Sequence, residues 1–244
     1  MLAVPSEPPR APLSRVVLIT RPEPGANETA ALLSARGLVP LIAPALVIRP
    51  LRSNLPPASE LQAVLFTSGQ AVARLGAAYH GVPVFAVGDA TAARARAQGF
   101  AEVRSAAADA AALAALVRSL CPPAAGPLLL ACGRGDGEAL AEALRGDGLR
   151  VLRRVVYAAQ PVHALAAPAR RALAEGRIGR ALFFSAASAR AFAAQVGAAD
   201  LAAPLAMVEA LAIAEPVAAA LRGLPWRAVR VAVRPTMESL LALL

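Results

Sequence analysis

Hydrophobic positions in this chain come in short unbroken runs rather than in alternation. VVLI at 16–19, AVLF at 63–66, LLLA at 128–131 and ALFF at 181–184 each lead into a turn of Gly, Ser, Thr or Pro. An alanine-rich segment with apolar residues at helical spacing then follows. That pattern belongs to strands buried on both faces of a parallel sheet, each followed by a crossover helix. It predicts strands at 16–20, 63–66, 84–87, 101–104, 128–131, 151–157, 182–184, 210–213 and 228–233. A further apolar run at 39–48 is broken by Pro40 and Pro44, which mark where strand becomes linker. Helices are expected from Asn27, as N-cap, to a stop at Gly37, and from Asp89, as N-cap, to Gly99. Others are expected at 109–117, after the glycine turn at 133–137, at 168–176 and at 237–244.

The pattern repeats. Ala63–Val72 (AVLFTSGQAV) returns as Ala181–Phe192 (ALFFSAASARAF), and Val84–Phe100 is echoed by Leu211–Trp226. A second unit, strand–Gly/Pro turn–helix–strand, appears at 15–42 and again at 127–152. The order of the two types is inverted between the halves, so one domain is continuous while the other joins both chain ends. The predicted fold class is therefore α/β, with two doubly wound parallel-sheet domains of flavodoxin or Rossmann type. Residues 56–153 make the continuous domain and residues 15–44 with 163–244 the discontinuous one. The chain crosses between them at 45–55 and 154–162, and residues 1–14 are a proline-dotted tail.

Composition narrows the function classes. The 244 residues carry a formal charge of +9, all of it from arginine. No basic run, aromatic-interleaved stripe or helix-turn-helix spacing accompanies it, so nucleic acid is a poorer partner than an anionic small molecule. Mean hydropathy is positive, yet the longest charge-free stretches, 119–133 and 155–169, contain proline and fall short of the roughly 20 apolar residues of a span. The expectation is a cytoplasmic monomer with no membrane partner. Cys121 and Cys132, and His80 and His163, show no metal spacing and no nucleophile–base arrangement, so neither a metal site nor a classical hydrolase is expected. The turn Gly133-Arg134-Gly135-Asp136-Gly137 follows a strand and opens a helix, but Glu138 stands where a dinucleotide fingerprint needs its third glycine.

What remains is a set of strand-end groups: Thr20, Arg21, Thr67, Ser68, Gly88, Thr91, Gly133, Ser185 and Thr236. Open α/β sheets bind ligands at the carboxyl ends of their strands, and together these groups describe a donor-lined cleft for an anion. Tyr157 ends the last strand of the continuous domain. It reads either as a tyrosine packed on the crossing or as a phenol presented to that cleft.

In order along the chain, VVLITRPEPGANETAALLSARGLVPLIAP, VLFTSGQAV, VFAVGDATAARARAQGF, VVYAAQP, FFSAASARAF and VRPTMESLLALL resemble uroporphyrinogen-III synthases. The resemblance implies two α/β domains, one discontinuous, joined by a two-stranded connector. It also implies an enzyme that needs no metal or organic cofactor. Such an enzyme closes the linear tetrapyrrole hydroxymethylbilane to uroporphyrinogen III, inverting the last ring through a spiro intermediate. It is a cyclising hydro-lyase of tetrapyrrole and haem biosynthesis, and Tyr157 matches the family's catalytic tyrosine. Two positions depart from the family's pattern. Ala214-Glu215-Pro216 replaces a glycine and hydroxyl turn, and Ala131-Cys132 stands before Gly133 where a longer polar residue is expected. The rival is a non-catalytic two-domain protein that holds an anionic small molecule between its domains. Periplasmic binding proteins, glycosyltransferases and signalling pairs offer such architectures, but they call respectively for a secretion signal, a nucleotide loop and acidic strand ends.

Overall fold

The computed structural model describes residues 13–244. The expected tail, apart from Leu13 and Ser14, lies outside the described residues. In chain order the first elements are β1 (Val16–Ile19), α1 (Gly25–Ser34), β2 (Val39–Ile42), β3 (Leu46–Pro50), β4 (Ala63–Phe66) and α2 (Gly69–Val72). Next come β5 (Val84–Ala86), α3 (Asp89–Ala97), β6 (Val103–Ser105), α4 (Ala110–Leu120), β7 (Leu128–Gly133), α5 (Glu138–Gly146) and β8 (Val151–Pro161). The chain ends with α6 (Ala167–Ala174), β9 (Ile178–Phe183), α7 (Ala186–Ala198), β10 (Glu209–Ala212), α8 (Glu215–Ala219), β11 (Ala228–Val231) and α9 (Met237–Leu241).

By contact the chain forms two units: residues up to Val47 with Gln160–Leu244, and Ile48–Ala159. In the first, the sheet runs β11-β10-β9-β1-β2 with parallel pairings throughout. The apolar runs explain its layers. Leu18, Ala181 and Phe183 point to one face, against Ala169, Leu173, Phe192 and Val217 of α6, α7 and α8. Their neighbours Val17, Ile19 and Leu182 point to the other, against Ala26 and Leu33 of α1 and Leu240 of α9. Alternation along buried strands thus feeds two cores, which is why no polar face was visible in the sequence.

The second unit is built in the same way on the order β3-β8-β7-β4-β5-β6. Ala63, Leu65, Leu128 and Leu130 face α4 and α5, whereas Val64, Phe66, Leu129 and Ala131 face α2 and α3. β3 lies beside β8 in this sheet. The Leu51 N–H donates to the Val156 carbonyl and the Val162 N–H to the Ala45 carbonyl, at 3.0 and 2.9 Å, so these two connecting segments run antiparallel.

Two ladders slip by one residue. Between β1 and β9, Val16 pairs Ile178 but Val17 pairs Arg180, leaving Gly179 as the extra residue. Between β7 and β8, Cys132 pairs Val155 but Gly133 pairs Tyr157, leaving Val156 extra. Two helix starts differ from expectation. α1 begins at Gly25, not after Asn27, because Ala26 and Glu28 donate to the carbonyls of Pro22 and Pro24 and the turn winds directly into the helix. α3 has Gly88 as its N-cap. Asp89 is its first helical residue, where a carboxylate still favours the positive end of the helix dipole.

Candidate active site

In the continuous unit the carboxyl ends of β7, β4 and β5 lie side by side. They present Gly133, Thr67-Ser68 and Gly88. Tyr157, expected to end its strand, instead lies within β8, which runs on to Pro161, and is paired with Gly133. Ser68 is extended and caps α2, its Oγ accepting from the Gln70 N–H at 3.2 Å.

Tyr157 reaches that position because of the bulge. Strict alternation would send Val156 and Tyr157 to opposite faces; the extra residue lets both pack in the core formed with Phe66, Val72 and Leu129. Its ring lies on Gly133, where a methyl group would come within 2.7 Å of Tyr157 Cζ and of Asp136 Oδ2. The tyrosine is only 6% exposed. It therefore belongs to the core of the continuous unit. Burial is the main influence on the phenol and pushes its pKa up. Ser68 pulls it down, while Asp136 and then Cys132 push it up.

The glycine turn beneath the ring is held from several sides. The Arg134 N–H donates to the Tyr157 carbonyl at 2.9 Å and the Asp136 N–H to the Gly133 carbonyl at 3.1 Å. Arg153 Nε donates to the Asp136 carbonyl at 2.8 Å, and its Nη1 lies 3.1 Å from Glu138 Oε2. Gly137 has a φ of +79°, which glycine adopts without penalty. Cys132 is fully buried, its thiol raised mainly by desolvation and directed to the Arg154 carbonyl at 3.6 Å. Its small size lets the turn close tightly where a longer polar residue was expected. Gly88 leaves open space where a Cβ would stand, whereas Thr91 is buried in the first turn of α3.

The discontinuous unit presents a second row of strand ends. Thr20 has no exposed surface, and its hydroxyl donates to the Leu182 carbonyl at 2.7 Å. It ties β1 to β9 and does not face a ligand, which corrects its placement among the substrate donors. Arg21 stacks its guanidinium on Phe184, 4.4 Å from the ring centroid, with Nη1 3.4 Å from Thr29 Oγ1. A methyl group at Gly25 would overlap the same guanidinium. Ser185 caps α7: its Oγ accepts from the Ser188 N–H at 3.1 Å and donates to Ser188 Oγ at 3.0 Å. Thr236 caps α9 by accepting from the Ser239 N–H at 3.2 Å. The unexpected carboxylate at Glu215 is paired with Arg222.

The structure thus brings Gly133 and Tyr157 together and sets Arg21 on Phe184, the residue before Ser185. Arg94 was missed by sequence reasoning. Its guanidinium lies against Gly69 at the start of α2, next to Ser68, yet an arginine in an alanine-rich helix reads as a solvated face. Among the described residues no group of His, Cys, Asp and Glu could hold a metal ion, and no helix is long and apolar enough to cross a membrane.

The family model for uroporphyrinogen-III synthase HemD matches residues 27–242. The chain belongs to the uroporphyrinogen-III synthase family. Two solved structures of such synthases share its fold. One is from Helicobacter pylori, at 19% identity with a TM-score of 0.62, covering 94% of this chain and 97% of that one. Another is a variant from the extremely thermophilic bacterium Thermus thermophilus, at 21% identity with a TM-score of 0.51, covering 93% and 96%. No curated protein sequence matches the chain. Membership in the uroporphyrinogen-III synthase family agrees with the resemblance carried by the ordered motifs. It also places the chain among enzymes of porphyrin and haem biosynthesis.

Proposed function

We propose that this protein is a uroporphyrinogen-III synthase, a cyclising hydro-lyase that converts hydroxymethylbilane to uroporphyrinogen III with loss of water. The observation that supports this most directly is the buried Tyr157 phenol packed on Gly133 at the end of β7, in a chain of that family. Hydroxide is a poor leaving group. Burial keeps the Tyr157 phenol protonated at neutral pH, so its role is to give a proton rather than to take one. The O–H bond of the phenol breaks as the substrate's C–O bond does, and water departs while the pyrrole nitrogen lone pair supplies the electrons. The last ring then attacks through its substituted carbon, and the spiro intermediate rearranges so that this ring is inverted. The carbon that finally closes the macrocycle sheds a proton, which restores the phenol. No outside oxidant or reductant enters the balance.

A carboxylate-rich tetrapyrrole calls for many donors. Thr67, Ser68, Gly88, Thr91 and Gly133 in one unit, and Arg21, Ser185 and Thr236 in the other, are the contacts this reading assigns. Folding the linear chain so that its ends meet supplies proximity. The protein would act as a cytoplasmic monomer with no nucleic acid partner and no cofactor. The test is to give the purified protein freshly made hydroxymethylbilane and resolve the isomers. Isomer III as the main product supports the reading. Isomer I alone, at the rate seen without protein, overturns it in favour of a non-catalytic anion-binding protein.

A further inference from the structure

We propose that Asp136 is a further catalytic residue: its carboxylate accepts the N–H of the pyrrole ring that loses hydroxide and stabilises the positive charge that ring then carries. The inference rests on the acid role of Tyr157 put forward above, and it follows from where the glycine turn sets this side chain.

Gly135 and Gly137, at φ +85° and +79°, bend the chain on either side of Asp136, a conformation other residues rarely adopt. The Asp136 N–H donates to the Gly133 carbonyl at 3.1 Å, and its own carbonyl accepts from Arg153 Nε at 2.8 Å, so the backbone is held from both sides. The side chain folds back over Gly133. Its Oδ2 and Tyr157 Cζ, the carbon that bears the phenol oxygen, each lie 2.7 Å from the point where a Gly133 Cβ would stand. Carboxylate and phenol therefore flank one point at the end of β7. No cation neutralises this carboxylate. Arg153 Nη1 turns to Glu138, and among the described residues no arginine forms an ion pair with Asp136, although the chain has a formal charge of +9.

Such a carboxylate opposes a substrate rich in carboxylates, but it suits the cation the reaction creates. As the C–O bond breaks, the oxygen leaves with the Tyr157 proton as water. The pyrrole nitrogen lone pair moves into the ring, and the ring's N–H becomes cationic. Asp136 accepts that hydrogen bond; no bond forms to it and no proton is transferred to it. The charge passes to the attacking ring when its substituted carbon closes on the carbon that lost the oxygen. An interaction present in full only while charge has developed lowers the barrier without tightening ground-state binding. Asp136 also acts on the phenol. After burial, its charge pushes the pKa up and so keeps the proton in place until the leaving group takes it.

The experiment compares wild type, Asp136→Asn and Asp136→Glu as full chains on hydroxymethylbilane, with circular dichroism to establish that each is folded. Asparagine keeps the size and the acceptor oxygen but not the charge. It should lower kcat about tenfold, less than the roughly 10²–10³-fold lost with a fully enclosed electrostatic contact, because the side chain is exposed and water screens it. KM should stay level or fall, since a charge that opposes the substrate is gone. Glutamate keeps the charge and should restore most of kcat. Wild-type kcat in a folded Asp136→Asn protein overturns the proposal, as does an Asp136→Glu protein no faster than Asp136→Asn, or a loss that shows only as a raised KM. A wild-type protein that forms no isomer III overturns the synthase reading and this proposal with it. Synthesis of isomer III by wild type and Asp136→Asn at equal kcat overturns this proposal alone.

Discussion

Replacing Gly133 by alanine tests whether the phenol's position matters, with no change to the phenol itself. The new methyl group would stand 2.7 Å from Tyr157 Cζ and 2.9 Å from Cε2. Carbon atoms in good contact sit at about 3.5–4.0 Å, so the ring must move by about 1 Å. Asp136 Oδ2, also at 2.7 Å, belongs to an exposed side chain and can swing aside. The tyrosine is walled by its core and cannot. Gly133 is not among the glycines with positive φ, so alanine brings no backbone strain, and any loss reports the collision. A misplacement of about 1 Å at a reacting group costs on the order of 10²-fold in rate. Overpacking costs about 1–3 kcal/mol in stability. The assay pairs the initial rate of isomer III formation with thermal unfolding. A Gly133→Ala protein with wild-type rate and wild-type Tm would refute the packing argument and, with it, the placement of the reacting group over this glycine.

Other consequences are as definite. Gly179→Ala should destabilise the discontinuous unit by about 1–3 kcal/mol, because Gly179 is the bulge residue between β1 and β9 and the Ser14 backbone lies against it; urea titration reads this out. Arg21→Met keeps a chain that can lie on Phe184 but removes the charge, so KM should rise about tenfold with a smaller change in kcat, as steady-state kinetics would show. The raised phenol also makes stability depend on alkaline pH. Its contribution is fully present below the unfolded phenol's pKa of about 10 and is lost as pH climbs from there through the higher folded value. Tyr157→Phe should therefore flatten part of the fall in Tm above about pH 10.

The α/β class and the permuted order were legible because they rest on local patterns. The run VVLI at 16–19 and the runs near 182 and 210 are buried on both faces, and they meet in one sheet although they come from opposite chain ends. The site was legible only in part. Ser68 and Ser185 lie just past the ends of β4 and β9 as their turn chemistry suggested, whereas Thr236 lies well beyond the end of β11, and each serves as a helix cap. Thr20 looked the same in sequence, yet its hydroxyl is used up across the β1–β9 ladder, a partner 162 positions away. The burial of Tyr157 hangs on a one-residue slip against β7, which no window of sequence around the tyrosine records. Glu215 read as an intruding charge, and only the turn that brings Arg222 back to it shows otherwise.

The most direct test of the account is a single-turnover comparison of wild type and Tyr157→Phe on one batch of hydroxymethylbilane, with circular dichroism to establish that both are folded. If the buried phenol delivers the proton, the variant should form isomer III about 10²-fold more slowly, and isomer I from unassisted closure should grow in its place. Equal rates of isomer III formation by the two folded proteins would contradict the account.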